Sequence, residues 1–434
     1  MTNFWNEKAE TMPRDDLEKL QGQKLNKLVK YVYDNVEFYH KKLDDMGIKP
    51  GDIKSVDDIV KIPLTYKTDL RDHYPFKLNA VPMDEIVRVH ASSGTTGKPT
   101  VVSYTQKDIE DWTELMARTV TAPGISNKDV IQNAYGYGLF TGGLGFHYGA
   151  EKVGAAVIPI SGGNTERQLM IMQDFGSTVL TCTPSYALYI AEYSKKLGID
   201  VSKLALKKAI CGAEPWSDNL RKTIEEVLQI DAYDIYGLSE IYGPGVSVEC
   251  EEKNGMHIWE DFFIVEILDK ETYEPVAEGE EGVLAFTTLE KTGMPLLRYI
   301  TYDVSKFTKE KCACGRTCGR MAKVTGRADD MLIVRGINVF PSQIEHTLMQ
   351  IPGIAGYYQI IIDRDIVDSL EVRVELTPDK FSEMKVLEKF KKNIESKLYN
   401  ILQVKANVEL VGPGTLPRSE GKAKHVIDKR TKNI

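Results

Sequence analysis

Short apolar strands alternate with helical stretches from about residue 85 onward in this 434-residue chain. The strand-like segments include VRVHAS, AAVIPI, STVLTCTP and KKAICGAEP, and helical patterns cover Lys107 to Ala117 and the stretch around Tyr186 to Lys196. This alternation predicts a mostly parallel sheet covered by helices on both faces. Ligands of such folds gather at the carboxyl ends of the strands, and polar loops follow several of these strands.

The rest of the chain predicts two further parts. From Phe262 to about Thr325 the sequence is β-rich with Gly and Pro turns, and a compact α/β lobe begins near Asp329. In this lobe a period-two strand pattern covers Leu370 to Leu376. An apolar helix face follows, formed by Met384, Leu387, Phe390, Ile394, Leu398 and Ile401. We therefore predict an α/β protein whose large N-terminal domain, residues 1–328, has mostly parallel sheets covered by helices plus a β-rich closing subdomain. Residues 329–434 form a small mobile C-terminal α/β lobe.

Composition excludes several classes of protein. No apolar run approaches the roughly 20 residues that span a bilayer, and the N-terminal segment lacks the apolar region of a secretory signal. The formal charge is −8 with acidic and basic residues interspersed, whereas a nucleic-acid partner requires a basic face. We expect a cytoplasmic protein that acts on small molecules, not on membranes or nucleic acids.

A loop rich in hydroxyl and glycine residues lies between two apolar segments. It comprises Ser92, Ser93, Gly94, Thr95, Thr96, Gly97 and Lys98. Glycines let backbone N–H groups turn toward an anion, hydroxyls add donors and the lysine adds charge, so the loop predicts a phosphate site. A Walker loop would need Gly at 92 and Ser or Thr at 99, where this chain has Ser92 and Pro99. A plain surface turn is the alternative.

Further polar loops follow in a fixed order. They are GAEP at 212–215, YGLSE at 236–240, RYITYD at 298–303, GRADD at 326–330 and PRSEGK at 417–422. Their order and spacing resemble the adenylate-forming acyl-CoA synthetases. Three phrases, NAYGYGLFTGGLG at 133–145, VRGINVFPSQIE at 334–345 and RSEGKA at 418–423, resemble the phenylacetate-CoA ligase branch of that superfamily. The resemblance covers nearly the whole chain.

The resemblance implies an enzyme that joins an aryl acid to coenzyme A. ATP activates the carboxylate as acyl-AMP, and the CoA thiolate then attacks the anhydride. Glu240 matches the family's magnesium-binding glutamate, Lys98 a catalytic phosphate contact and Tyr236 a platform for adenine. The implied ATP and AMP contacts are the loop residues 92 to 97 with Gly212, Ala213, Glu214, Asp234, Tyr236, Gly237, Ser239, Asp303 and Arg327. Taken singly, Asp303 and Arg327 are equally compatible with surface ion pairs, and Glu240 with an exposed acid at a helix start.

The resemblance also assigns roles near the C-terminus. Lys422 matches the lysine that bridges the substrate carboxylate and the α-phosphate, with Lys424 as the runner-up. Asp329 matches a hinge about which the C-terminal lobe rotates between two poses, and Gly336 then makes room for the pantetheine arm of CoA.

The acyl pocket is expected at the aromatic and glycine residues of GYGLFTGG. The candidate substrate contacts are Tyr135, Tyr137, Phe140 and Gly142. Large aromatics form walls and glycines leave room for a flat ring, although buried aromatics serve more often as core.

Four residues predict a structural zinc site within a subdomain around residues 250–320. They are Cys250, His257, Cys312 and Cys314. Cys318 is an alternative ligand, and the single residue between Cys312 and Cys314 is tighter spacing than usual. Reduced, unligated thiols are the alternative.

The overall prediction is an AMP-forming aryl acid–CoA ligase, with phenylacetate as the expected acid, that uses ATP, Mg²⁺, CoA and a structural zinc. The alternatives are an enzyme for another aryl acid, one that transfers to a carrier-protein thiol, and a catalytically silent nucleotide-binding protein. A homodimer is plausible from the resemblance.

Overall fold

The structure is a computed structural model that describes residues 4–92, 99–329, 332–335, 337–364, 368–381, 384–419 and 423–430. The α-helices are α1 Glu7–Glu10, α2 Arg14–Asn35, α3 Glu37–Asp45, α4 Lys67–Asp72, α5 Gln106–Thr121, α6 Gly142–Val153, α7 Thr165–Asp174, α8 Pro184–Lys196, α9 Asp218–Leu228, α10 Pro341–Met349, α11 Pro378–Phe381 and α12 Met384–Leu402. Short 3₁₀ turns span Pro50–Asp52, Val56–Lys61, Met83–Glu85, Val201–Lys203 and Ser239–Ile241.

The strands follow the same chain order. They are β1 Ile86–Ser92, β2 Thr100–Thr105, β3 Val130–Asn133, β4 Ala156–Ile158, β5 Val179–Cys182, β6 Lys208–Gly212, β7 Asp231–Leu238, β8 Gly243–Glu249, β9 Met256–Ile258, β10 Phe263–Leu268, β11 Gly282–Thr288, β12 Tyr299–Ser305, β13 Phe307–Thr308, β14 Arg320–Met321, β15 Gly326–Arg327, β16 Leu332–Val334, β17 Ile337–Val339, β18 Ile354–Arg364, β19 Asp368–Leu376, β20 Ala406–Val411 and β21 Val426–Asp428.

The chain divides into two compact units. The first contains Met1–Cys182, Leu204–Ala213 and Asp231–Lys323, and the second contains Thr183–Lys203, Glu214–Ile230 and Val324–Ile434. The second unit therefore includes three segments from within the predicted domain of residues 1–328, namely Thr183–Lys203, Glu214–Ile230 and residues 324–328. The predicted boundary at residue 329, and with it the hinge, stays a prediction.

The first unit is built on a sheet with strand order β13-β14-β9-β8-β7-β6-β5-β3-β4. The strands from β4 to β7 pair in parallel, and those from β7 to β13 pair antiparallel. All four residues of β5 are buried, as is typical of a strand covered on both faces. Helix α6 packs on α5, β3 and β8. The strands β10, β11 and β12 form an antiparallel sheet, as the β-rich sequence after Phe262 predicts.

The second unit contains a sheet with strand order β20-β19-β18-β21. Leu370, Val372, Val374 and Leu376 of β19 are buried as the period-two pattern predicts. Glu375 departs from the pattern, because it is buried as well and its carboxylate accepts a hydrogen bond from Arg418. Helix α12 contributes the fully buried Ile394 and Leu398 to the same core. The expectation for Ile401 is wrong, because this side chain is 45% exposed while Leu402 is buried.

Candidate active site

A tight turn at the end of β7 carries Glu240. This residue lies in the 3₁₀ turn Ser239–Ile241 and is only 3% exposed. The hydroxyl of Tyr299, on β12, donates to its Oε1 atom at 3.4 Å. The Lys67 ammonium at the start of α4 lies 3.8 Å from the same oxygen. Among the residues that the structure describes, the buried Glu240 carboxylate has only these two long side-chain contacts, so it retains the capacity to coordinate a cation.

The predicted adenine and ribose contacts lie side by side. The hydroxyl of Tyr236 on β7 donates to Oδ2 of Asp303 on β12 at 2.7 Å, and both residues are buried. The Tyr236 ring also stacks on Phe286, with 6.0 Å between the ring centroids. The sheets that contain β7 and β12 thus bring together residues that are 67 positions apart in the chain.

The glycines of the neighbouring motifs are required by close backbone approach. A Cβ at Gly212, the last residue of β6, would collide with the carbonyl oxygen of Ile235, and one at Gly237 would collide with that of Gly243. Ala213 has a left-handed φ of +72°, which a non-glycine residue adopts at a cost. The strand ends therefore hold the GAEP and YGLSE loops in defined conformations.

The remaining predicted nucleotide contacts are placed as follows. Asp234 is buried on β7, where its N–H donates to Glu249, and the Ser239 and Thr141 hydroxyls lie 3.3 Å apart. Glu214 belongs to the second unit, where its carboxylate accepts hydrogen bonds from the N–H groups of Ser185 and Ala423.

Ser92 ends β1 and pairs with Thr100 of β2. The predicted phosphate loop therefore joins two antiparallel strands. Ser93, Gly94, Thr95, Thr96, Gly97 and Lys98 lie outside the described residues, so their phosphate contacts stay predictions.

The candidate acyl pocket contains residues in two kinds of environment. Tyr135 is buried and stacks on Phe146 at 5.3 Å, whereas Phe140 is 53% exposed. Gly142 begins α6, close enough to Tyr135 for a Cβ there to touch the ring. Tyr135 thus matches the core alternative, and Phe140 is the more accessible candidate for contact with a substrate.

Tyr137 joins a polar chain beside this region. Its hydroxyl accepts a hydrogen bond from Nδ2 of Asn133 at 2.7 Å and lies 3.2 Å from Nδ1 of His147. Nε2 of His147 lies 3.2 Å from Glu151. Burial raises the pKa of Tyr137 to about 12, so the hydroxyl stays protonated near neutral pH and remains a hydrogen-bond donor.

The four predicted metal ligands converge in the first unit. Cys250, His257, Cys312 and Cys314 are all buried, and their ligand atoms lie within 4.8 Å of one another. The sulfur atoms of Cys250 and Cys312 are 3.7 Å apart, and Cys314 Sγ is 3.4 Å from Nε2 of His257. A tetrahedral zinc with bonds of about 2.3 Å to sulfur and 2.0 Å to nitrogen separates its ligand atoms by about 3.5 to 3.8 Å.

Cys318 occupies a different position from these four residues. Its sulfur and its carbonyl oxygen each lie 3.4 Å from Nδ1 of His257, on the other side of the ring from Cys314. A metal-ligating histidine usually donates its second N–H to such a neighbouring acceptor. The geometry therefore favours Cys314 over Cys318 as the ligand.

The C-terminal candidates belong to the second unit. The Arg327 guanidinium donates two hydrogen bonds of 2.9 Å to the Asp329 carboxylate. Lys424 lines a cavity of about 480 Å³ together with Glu214, Glu345 and His425. Gly336 and Lys422 lie outside the described residues.

Sequence reasoning missed two lysines beside Glu240. Lys67 approaches the carboxylate, and the fully buried Lys291 donates to the backbone carbonyl of Glu240 at 3.3 Å. Neither lysine stands in a recognisable motif, because their proximity arises only when α4 and the segment before β12 meet the turn after β7.

Comparisons with known proteins agree on one family. The family model described as AMP-binding enzyme matches residues 10–288, and that described as AMP-binding enzyme C-terminal domain matches residues 336–430. The chain is 49% identical to the phenylacetate-coenzyme A ligase of Thermus thermophilus, over 97% of this chain and 98% of that protein. It is 46% identical to the protein of the same name from Escherichia coli, over 99% of both chains.

A solved structure extends the likeness to three dimensions. A crystal structure of 2-hydroxyisobutyryl-CoA ligase in the postadenylation state matches with a TM-score of 0.91 and 30% identity, over 99% of this chain and 93% of that chain. The chain belongs to the AMP-binding enzyme family, within its phenylacetate-coenzyme A ligase branch, and is an AMP-forming acid–CoA ligase.

Proposed function

We propose that this enzyme converts an aryl carboxylic acid, with phenylacetate the first candidate, to its CoA thioester. The observation that carries the proposal is the identity of 46 to 49% to four proteins named phenylacetate-coenzyme A ligase, over at least 97% of this chain. A carboxylate oxygen attacks the α-phosphorus of ATP, and the bond to pyrophosphate breaks. The CoA thiolate then attacks the acyl carbon, and AMP leaves.

Glu240 is the proposed ligand for the magnesium ion of MgATP. Magnesium takes one or two protein carboxylates together with phosphate oxygens, and the long contacts of Glu240 to Tyr299 and Lys67 are compatible with that role. Bound magnesium would neutralise charge that develops on the phosphates. Lys67 adds a second positive charge beside the carboxylate.

Tyr236 and Asp303 are the proposed adenosine contacts. Their hydrogen bond fixes the tyrosine ring as a flat surface and orients the carboxylate, whose two oxygens suit two ribose hydroxyls. Lys98 and the loop from Ser92 to Gly97 are proposed to hold the outer phosphates, through the backbone and hydroxyl donors described above.

A structural zinc ion is proposed at Cys250, His257, Cys312 and Cys314. Four protein ligands leave no open coordination position, so the ion would stabilise the fold without entering the chemistry. Metal analysis of protein purified without added zinc is expected to give about one equivalent. Substantially less than one equivalent would instead favour reduced, unligated thiols.

The segment from Asp329 onward is proposed to serve both half-reactions. In this proposal Lys422 completes the adenylation site, and rotation at Asp329 then brings Gly336 to the CoA channel. Cytoplasmic location and a homodimer also remain proposals. No helix in the described part of the chain has the length and apolar character needed to cross a membrane.

A panel of acids tests the substrate. AMP release is measured with and without CoA for phenylacetate, benzoate, indole-acetate and 2-hydroxyisobutyrate. We expect phenylacetate to give the highest kcat/KM and CoA to be required for turnover. Preference for 2-hydroxyisobutyrate, or turnover that needs a carrier protein in place of CoA, would contradict the proposal.

Exchange of labelled pyrophosphate into ATP tests the chemistry separately from the thiol acceptor. Exchange that depends on added aryl acid is expected, because formation of acyl-AMP is reversible. A catalytically silent nucleotide-binding protein would bind ATP without any exchange.

A further inference from the structure

Lys291 is a buried cation next to the proposed magnesium ligand. It is 1% exposed, and its ammonium donates to the backbone carbonyl of Glu240 at 3.3 Å. The ammonium also faces the rings of Tyr104 and Tyr242, at 4.4 and 5.3 Å from their centroids. Cation–π contacts of this kind hold a charge in place when water is excluded.

The surrounding contacts fix the turn that carries Glu240. The hydroxyl of Tyr104 lies within hydrogen-bond distance of the carbonyl oxygens of Ser239 and Tyr242, at 3.1 and 3.2 Å. Tyr242 has a left-handed φ of +80°, which persists only when the surrounding structure imposes it. Lys291 supplies the contact to the carbonyl between these two, so Lys291 and Tyr104 together hold the backbone on both sides of Glu240.

Within the described part of the chain, the Lys291 ammonium forms no direct ion pair. Asp108 is the nearby acid, but its carboxylate already accepts hydrogen bonds from the N–H groups of Thr105, Thr292 and Gly293. Among the described residues, no carboxylate oxygen lies within 4.0 Å of the Lys291 ammonium. Burial lowers the pKa of this lysine to about 8, although Asp108 and Glu240 favour the charged form.

A buried charge without an ion pair costs stability, and an apolar side chain of similar length would fill the same space at less cost. Residues that reduce stability in this way are found at functional sites. The cost favours a functional role for this lysine over a contribution to overall stability.

We propose that Lys291 is a positioning residue of the adenylation site, which holds the Ser239–Tyr242 turn so that the Glu240 carboxylate meets the metal ion of MgATP. This inference rests on the proposed function. Lys291 does not touch the acid substrate in this proposal, and it acts through Glu240.

Lys291→Met tests the proposal, with Lys107→Met as the matched control. Lys107 also lies beside this segment, but its side chain is 48% exposed and pairs with Asp111 and Glu290. We expect Lys291→Met to lower kcat/KM for MgATP at least tenfold, to weaken binding of MgATP in the absence of acid, and to leave Tm equal to or above that of the wild type. Lys107→Met should change neither ATP parameter more than twofold.

Two outcomes would overturn the inference. One is kcat/KM and MgATP binding within twofold of the wild type, and the other is a Lys291→Met protein that is unfolded or has a clearly lower Tm, since the lysine would then be structural. Failure of the wild type to release AMP with any acid would contradict the proposed function, whereas MgATP binding and Tm would still decide the role of Lys291.

Discussion

At the scale of single residues, the Tyr236–Asp303 hydrogen bond links stability to the proposed adenosine contacts. Tyr236→Phe removes the hydroxyl and leaves the buried Asp303 carboxylate without this donor. Loss of one partner of a buried charged group costs about 1 to 3 kcal/mol. We expect a lower free energy of unfolding in urea and a raised KM for ATP.

Tyr33→Phe is the control for this substitution. The Tyr33 hydroxyl donates to Asp44 over the same 2.7 Å, but the pair is exposed. An exposed contact to a carboxylate contributes little to the free energy of unfolding. This variant should therefore match the wild type in both measurements. Equal losses in the two variants would show that burial of the site pair is unimportant.

The lowered pKa of Lys291 predicts how the free energy of unfolding depends on pH. Its folded-state pKa of about 8 lies below the ordinary value of 10.5. Between these values the unfolded chain binds more protons than the folded chain, so this residue makes stability rise with pH. The difference of about 2.5 in pKa corresponds to about 3 kcal/mol.

Lys291→Met should therefore lose its stability advantage over the wild type as pH rises from 7 to 10. The measurement is urea denaturation of both proteins across that range. Because tyrosines titrate in both proteins, only the difference between them is interpreted. A difference that stays constant with pH would contradict the assigned pKa.

At the scale of elements, the segment that carries Cys312 and Cys314 is connected to the N-terminal helix α1. The Arg316 guanidinium donates to Glu10 of α1 at 2.7 Å and to the Cys314 sulfur at 3.6 Å, and both residues of the Glu10–Arg316 pair are buried. The N–H of Thr317 donates to the carbonyl of Glu10. Loss of the proposed zinc ion should therefore loosen the N-terminus as well as the segment that carries Cys312 and Cys314.

The substitutions Cys314→Ser and Cys318→Ser distinguish a proposed zinc ligand from a cysteine that only lies next to the site. Cys314→Ser should lose bound zinc and become sensitive to proteolysis before residue 20, while Cys318→Ser should retain about one equivalent. The measurements are metal content and limited proteolysis followed by mass analysis. Loss of zinc only in Cys318→Ser would assign the fourth ligand to Cys318.

The same elements show what the sequence predicts and what it cannot. The family resemblance of the motifs implied a shared nucleotide site for Tyr236, Glu240 and Asp303, and the structure joins Tyr236 to Asp303 by a hydrogen bond. The Cys and His residues predicted a cluster, and their ligand atoms do lie together. The burial of Lys291 and the contact of Lys67 with Glu240 could not be predicted, since both depend on how distant segments pack. The expected burial of Ile401 was wrong because each step along a helix turns the side chain by about 100°, and Leu402, one step further on, faces the core instead.

At the scale of the whole molecule, one chain must promote two different attacks on the same acyl group. Adenylation places negative charge on the α-phosphate and on the departing pyrophosphate, so a lysine that contacts the carboxylate and the α-phosphate stabilises that step. Attack of the thiolate on acyl-AMP needs access for CoA more than it needs this cation. A residue that serves only one step should therefore separate the two reactions kinetically.

Lys422→Ala is expected to lower acyl-AMP formation by a factor of about 10² to 10³, yet to leave thioester formation from presynthesised acyl-AMP within a few fold of the wild type. Single-turnover assays of each half-reaction provide the measurement, and Lys424→Ala is the control because that lysine lies two residues away in the same segment. Asp329→Pro, which fixes φ at the proposed hinge, should impair one half-reaction more than the other. Equal loss of both reactions in Lys422→Ala would mean that the lysine supports the fold or the nucleotide in general, and the division of labour within the C-terminal segment would then have to lie elsewhere.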